Sequence, residues 1–236
     1  MTISAKTLLD GLRGQLVVSC QAAAGSPMAP VAHIAALAQS AVIGGARAVR
    51  IEGIANVQTV RAAVDVPIIG IVKAQHPGFE AFITTTVDEV DALVDAGADV
   101  IAFDATDRAR PVPVAELVAA ILRRDRVVMA DISTIAEARL AIEAGAHVAG
   151  TTLAGYTEHS SVLAGPDFPL MTELAAARLP FVAEGRIWDP AEAARAIAIG
   201  AQFVVVGSAI TRPDDITRRY AAAVAAAAQP RLGETA

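Results

Sequence analysis

The chain has a single cysteine, Cys20, so it cannot form an internal disulfide framework, and no Cys/His cluster has the spacing of a metal site. It has no basic run and a net charge of −6, which argues against nucleic acid and anionic membrane as partners. No apolar run approaches membrane-spanning length, and the alanine-rich 221–228 is far too short. Val17-Val18-Ser19-Cys20 loosely resembles a lipoprotein cleavage site, but only a few apolar residues separate it from Arg13, Gly14 and Gln15. With no signal-peptide core there, a cytoplasmic protein is expected. Neither a G-x-G-x-x-G nor a Walker motif follows the first apolar run, which weakens a doubly wound nucleotide-binding sheet. Lysine is nearly absent: of 19 basic residues only Lys6 and Lys73 are lysines.

What remains is a chain of 236 residues, 54% hydrophobic, long enough for one large core. Short apolar runs recur at 16–20, 48–52, 68–72, 100–104, 127–131, 147–152, 181–185 and 203–207. Most are separated by helix-length segments rich in Ala, Leu, Glu and Arg. Residues 1–14 suggest a short leading helix. Thr86…Glu89 and Thr134…Glu137 have capping-box spacing. Gly45, Gly97, Gly145 and Gly200, each followed by alanine, close a helix ahead of strands 2, 4, 6 and 8, as glycine past a helix end does. Four βαβα units predict an α/β chain forming one (β/α)₈ (TIM) barrel, a single domain over 1–236. An open doubly wound sheet is the runner-up.

The last two strands are organised around glycine. Gly185-Arg186 follows Phe181-Val-Ala-Glu184, and Asp189-Pro190-Ala191-Glu192 then opens a helix. Gly207-Ser208 follows Phe203-Val-Val-Val206, with Arg212-Pro213 shortly after. Glycine amides, helix N-termini and arginines brought together make an anion site, and barrels commonly bind phosphate after strands 7 and 8. The plainer alternative is that these glycines only make tight turns.

In a barrel the working face lies at the C-terminal strand ends. Here those ends read Cys20-Gln21, Arg50 and Glu52, Lys73, Asp104, Asp131, Thr151-Thr152, Glu184 and Gly207-Ser208. A chain that uses arginine wherever charge is wanted places lysine at the end of strand 3. Arginine stays protonated, whereas a desolvated lysine near another cation such as Arg50 can act as a base. Glu184, across the barrel, is the matching acid. Two such groups on opposite faces of one carbon can remove a proton and return it with inversion. The alternatives are a Lys73 that only pairs with substrate and a Glu184 that pairs with Arg186 or Arg212. Gln21 and Arg50 are candidate donors to sugar or carbonyl oxygens. Asp131 is a candidate acceptor from hydroxyls or a group orienting Lys73, and Asp104 is a candidate brace between strand ends. Tyr156 is a candidate cover, and none of the four histidines is given a catalytic role.

Seven stretches together resemble one family. They are Val18-Ser-Cys-Gln-Ala22, Ile69-Gly-Ile-Val-Lys73, Ala102-Phe-Asp-Ala-Thr106, Ala130-Asp-Ile-Ser-Thr134, Gly150-Thr-Thr-Leu-Ala-Gly-Tyr-Thr157, Ala183-Glu-Gly-Arg-Ile187 and Val206-Gly-Ser-Ala-Ile-Thr-Arg-Pro213. In order and with few gaps, they resemble the N-acetylmannosamine-6-phosphate 2-epimerase family. The resemblance implies interconversion of N-acetylmannosamine 6-phosphate and N-acetylglucosamine 6-phosphate in sialic-acid and amino-sugar breakdown, with no metal or organic cofactor. It implies Lys73 and Glu184 as catalytic residues, Gln21, Arg50 and Asp131 as sugar-binding residues, and Arg212 as the phosphate arginine. Gly185, Arg186, Gly207 and Ser208 complete the expected phosphate turn. After Lys73 the sequence departs from the family, with Ala74-Gln75-His76-Pro77 where a second basic residue and an aromatic are usual. The competing enzyme readings are a Schiff-base aldolase using Lys73 and a metal-dependent phosphosugar isomerase. The non-enzymatic one is a silent phosphosugar sensor. An alanine-rich C-terminal helix suits close helix packing, so a homodimer is expected.

Overall fold

The structure, a computed structural model, describes residues 4–228. Residues 1–3 and 229–236 of the expected single domain lie outside the described residues. Eight parallel strands close in sequence order into a barrel. They are β1 (Leu16–Cys20), β2 (Ala48–Glu52), β3 (Ile68–Ile71), β4 (Val100–Asp104), β5 (Val127–Asp131), β6 (Val148–Gly150), β7 (Phe181–Glu184) and β8 (Val204–Val206). Closure comes from β8 pairing with β1, in a register that sets Val17 against Val205.

Strand periodicity divides the core in two. Val17, Ala48, Ile69, Val100, Met129 and Val182 point into the barrel. Their immediate neighbours Val18, Val49, Ile68, Ile101, Ala130 and Ala183 pack outward under the helices. The expected leading helix is α1 (Ala5–Leu12), capped by Ser4, whose hydroxyl accepts from the Thr7 amide at 3.2 Å. Its buried Leu8 and Leu12, one turn apart, belong to the interior cluster, so α1 stoppers the N-terminal end of the barrel.

The outer layer is α2 (Val31–Ile43), α3 (Ile54–Arg61), α4 (Val87–Asp95), α5 (Val114–Arg123), α6 (Ile135–Glu143), α7 (Phe168–Ala176) and α8 (Pro190–Ile199). The short α9 (Ser208–Thr211) and long α10 (Pro213–Ala228) follow. Reciprocal capping boxes form at Thr86/Glu89, Thr134/Glu137 and Asp189/Glu192. Gly45, Gly97, Gly145 and Gly200 have φ between +100° and +125°, the left-handed turn that lets a helix end and re-enter the sheet. In α10 no residue is buried, and Tyr220 and Val224 are exposed.

Strands β3, β6, β7 and β8 all end before their apolar runs do, and for two of them the cause is a specific side-chain bond. β6 stops at Gly150 because Thr151–Leu153 turns into a 3₁₀ helix, with the Thr151 hydroxyl donating to the Glu184 carbonyl and accepting from its amide. β3 stops at Ile71 because Val72 bonds sideways to Thr84, its amide donating to the Thr84 hydroxyl and its carbonyl accepting from the Thr84 amide.

Candidate active site

The parity that sends Val17, Ala48, Ile69 and Val182 inward also sends Ser19, Gln21, Arg50, Lys73, Asp104, Asp131 and Glu184 to the barrel axis. Below, those positions are apolar; at the C-terminal end they are polar. They surround a cavity of about 340 Å³ at that end, walled by Gln21, Arg50, Lys73, Thr152, Glu184 and Arg212 among others. The five proposed phosphate residues, Gly185, Arg186, Gly207, Ser208 and Arg212, all lie on its wall.

The centre of the site is Arg50, 1% exposed. Its guanidinium grips Asp131 with two bonds, Nη1 to Oδ1 at 3.1 Å and Nη2 to Oδ2 at 2.6 Å. Nη1 also donates to Glu184 Oε2 at 2.6 Å. The Thr152 hydroxyl stands 2.7 Å from Asp131 Oδ1 and 3.1 Å from Glu184 Oε2, and its single proton serves one at a time. Room for this cluster comes from Gly150: a Cβ there would lie 2.6 Å from Met129 Cε and 3.1 Å from both Asp131 Oδ1 and Thr152 Oγ1.

One buried arginine thus faces two carboxylates. Burial pushes the Glu184 carboxyl up to about 7, and the Asp131 charge adds to the rise despite the opposing pull of Arg50. Burial by itself would lower the Arg50 value, but the Asp131 and Glu184 carboxylates more than offset it and hold the guanidinium charged. On the facing wall Lys73 donates to Gln21 Oε1 at 2.7 Å, and Gln21 Nε2 donates to Ser19 Oγ at 2.7 Å, which fixes the amide's orientation. Lys73 is solvent-exposed on the cavity wall; partial desolvation there lowers its ammonium below the usual value, and the Arg50 and Arg212 charges lower it further, against Glu52 and Glu184. The acid is raised and the amine lowered, which brings their proton affinities closer together than in free glutamate and lysine.

Several placements differ from the sequence reading. Asp131 is fully buried and off the cavity wall, its oxygens accepting from Arg50 and the Thr152 hydroxyl, with no direct bond to Lys73 among the described residues. Glu184 pairs with Arg50, not with Arg186 or Arg212. The α8 N-terminus offers no free first-turn amide at 188, 189 or 191, because the Glu192 carboxylate takes those of Trp188 and Asp189, and Asp189 takes that of Ala191. Arg186, at φ 55°, spends Nε and Nη1 on the carbonyls of Gly165 and Ala154 and lies over the Tyr156 ring, bracing the loop after β6. Arg212 is the freer cation: it is partly exposed, and its nearest carboxylate oxygen, on Asp215, is 3.6 Å away. Tyr156 does stand at the cavity, and no histidine does.

Sequence reasoning assigned no role to Thr152 or Trp188. Thr152 continues the inward parity of β6, so alternation was signal enough. Trp188, the only tryptophan, lies on the wall with the Arg219 guanidinium 4.1 Å from its ring, and nothing in its sequence neighbourhood marks it. Among the described residues, no group of three or more His, Cys, Asp or Glu side chains is placed to hold a metal ion. No helix among them is long and apolar enough to cross a membrane.

The fold and the site together define a (β/α)₈ barrel with a lysine and a glutamate on one cavity at the C-terminal end of its strands. The barrel alone is widely shared: thiamine phosphate pyrophosphorylase from Pyrococcus furiosus matches with a TM-score of 0.58 at 18% identity, covering 89% of this chain and 93% of that one, a likeness of fold only. The family model "Putative N-acetylmannosamine-6-phosphate epimerase" matches residues 34–226, and the chain belongs to that family. It is 47% identical to the "Bifunctional enzyme NanE/NanK" of Brucella melitensis over 94% of this chain, which spans only 43% of that protein. It is 43% identical to the "Putative N-acetylmannosamine-6-phosphate 2-epimerase" of Caldanaerobacter subterraneus subsp. tengcongensis, over 90% of this chain and 92% of that one. The structure of the N-acetylmannosamine-6-phosphate 2-epimerase from Clostridium perfringens superposes with a TM-score of 0.89 at 40% identity, covering 92% and 96% of the two chains.

Proposed function

We propose that this protein inverts C2 of N-acetylhexosamine 6-phosphates, converting N-acetylmannosamine 6-phosphate to N-acetylglucosamine 6-phosphate in the cytoplasm, with Lys73 and Glu184 as the two proton-transferring groups. The observation that carries the reading is their opposed tuning across one cavity, the Lys73 ammonium lowered and the Glu184 carboxyl raised. The C2 proton is acidic only when C1 is an open-chain aldehyde, so the ring opens first. One of the two groups then takes the C2 proton, and the electron pair moves into the C1–C2 bond as the C1–O π pair moves onto oxygen. The other group donates a proton to C2 from the opposite face, and the carbonyl re-forms with inverted configuration. Arg50 stabilises the enolate oxygen: it lies on the wall, is held in place by Asp131, and its buried Nε has no partner among the described residues. Gln21 orients Lys73 and donates to the sugar. The chemistry calls for no metal or organic cofactor.

The phosphate rests at Gly185, Arg186, Gly207, Ser208 and Arg212, and its binding energy orients the reacting carbon. Arg212→Ala is expected to weaken phosphosugar binding by roughly 1.5–3 kcal/mol, the scale of a charge-assisted hydrogen bond. Activity on the unphosphorylated sugar should change little, and equal losses on both would make Arg212 structural. A homodimer is part of the same reading, a second copy covering the exposed apolar face of α10 that carries Tyr220 and Val224. The reaction itself is tested by proton NMR of N-acetylmannosamine 6-phosphate with the purified protein and EDTA. The gluco epimer should accumulate; failure to form it, or loss of activity on chelation, would sink the assignment.

A further inference from the structure

Asp104 ends β4 at inward parity, is completely buried and is not on the cavity wall, yet it accepts more hydrogen bonds than any substrate-facing acid in the site. Oδ1 takes the Thr106 amide at 3.1 Å, the Thr106 hydroxyl at 2.6 Å and Arg110 Nη2 at 3.4 Å. Oδ2 takes Arg108 Nη2 at 2.6 Å and, from the preceding strand's loop, the Phe82 amide at 3.3 Å. Arg108 also reaches the Thr106 hydroxyl and lies over the Phe82 ring, and Arg110 donates to the Asp104 and Thr106 carbonyls.

Phe82 matters because of where its segment runs. After β3 the chain leaves at Val72-Lys73, loops out, and returns antiparallel, with Lys73 bridged to Ile83. The Ala74 amide donates to the Phe82 carbonyl at 3.0 Å, and the Thr84 amide to the Val72 carbonyl at 2.8 Å. The returning segment is held from behind by the end of β4 and the loop after it: the Asp104 amide donates to the Ile83 carbonyl at 2.7 Å, while the Glu80 and Ala81 amides share the Ala109 carbonyl. Lys73 therefore lies beyond the end of its own strand, and its backbone is fixed by a return segment that Asp104 grips from both its main chain and its side chain.

We infer that Asp104, with Arg108 and Arg110, is the positioning residue for Lys73, setting the lysine's place opposite Glu184 without touching substrate. This rests on the assignment of Lys73 as a proton-transferring group. A displacement of about 1 Å at a reacting group can cost on the order of 100-fold in rate, so a tie at this distance matters kinetically.

Asp104→Asn tests it. The amide keeps the shape but puts an NH₂ donor among donors from Thr106, Arg108, Arg110 and Phe82, so the grip on the return segment opens. The variant should keep a cooperative thermal transition and bind phosphosugar within about threefold of wild type, while turnover falls about 10- to 100-fold. The telling readout is asymmetry in D₂O. Starting from the epimer whose C2 proton goes to Glu184, the enolate now waits on a misplaced Lys73 and returns to Glu184. C2 exchange without inversion therefore rises relative to inversion. Starting from the other epimer, the C2-deuterium isotope effect on turnover rises. A merely structural role would lower the active fraction and leave both ratios at wild-type values, and that result, or unchanged turnover, overturns the inference. If Asp104→Asn does not fold, Arg108→Gln, which removes one tie, should move the same ratios in the same direction, and unchanged ratios there count against it equally. Failure of the underlying reading looks different: C2 exchange surviving in Lys73→Arg, whatever Asp104 does.

Discussion

Lys73→Arg should give a folded protein that binds phosphosugar and yet shows turnover and C2 exchange near background. The substitution keeps the positive charge, and a residue needed only to pair with an anion would partly survive it. A guanidinium stays protonated across the accessible pH range, so a residue that must shed a proton cannot. Partial desolvation in the cavity and the neighbouring Arg50 and Arg212 charges favour that loss for lysine. Lys6→Arg is the control: Lys6 is an exposed side chain of α1 that pairs with Asp10 at 2.5 Å, away from the cavity. It should be unchanged. Substantial C2 exchange in Lys73→Arg would leave Lys73 an electrostatic partner and move the base elsewhere.

Glu184→Gln should lower turnover by about 10²–10⁴-fold, the scale of acid–base catalysis, with binding nearly intact. Both directions of epimerisation need one proton on the Lys73–Glu184 pair. The wild-type kcat/KM profile should therefore have an acid limb near the Glu184 value of about 7 and an alkaline limb below the usual lysine value. The residual activity of the glutamine variant should lack the acid limb. Stability reports the same group. Because the folded-state value is raised above 4.5, the folded protein holds a proton between about pH 4.5 and 7 that the unfolded chain has released. That contribution to stability is present below pH 4.5 and lost as pH rises through 7, so the variant should gain on wild type between pH 5 and 8, by up to about 3 kcal/mol. A flat difference, or activity within tenfold of wild type, would make Glu184 a structural member of the Arg50 cluster.

Much of this was legible in the chain because alternation decides which side chains enter a barrel. Once Val182 faces inward, so must Glu184; once Ile69 and Ile71 do, so must Lys73. Helix ends were equally readable, since a capping box or a left-handed glycine is a local event. Partner choice was not. Arg50 meets Asp131 across 81 residues of sequence and Glu184 across 134, and which oxygen it reaches depends on barrel tilt and register. The sequence therefore could not tell that Asp131 would stand off the cavity wall, bonded to Arg50. The α8 N-terminus misled for a related reason: the residues that mark a helix start, Asp189 and Glu192, are those that occupy its free amides. The loop after β3 is held by Asp104 of the next strand, a contact no local pattern encodes.

The central claim is that C2 loses its proton to one protein side and regains one from the other. The most direct measurement is turnover of N-acetylmannosamine 6-phosphate in D₂O, followed by proton NMR at C2 of the product. The account predicts deuterium at C2 of the N-acetylglucosamine 6-phosphate formed, with EDTA present. Product that retained its original C2 proton through complete turnover would contradict it.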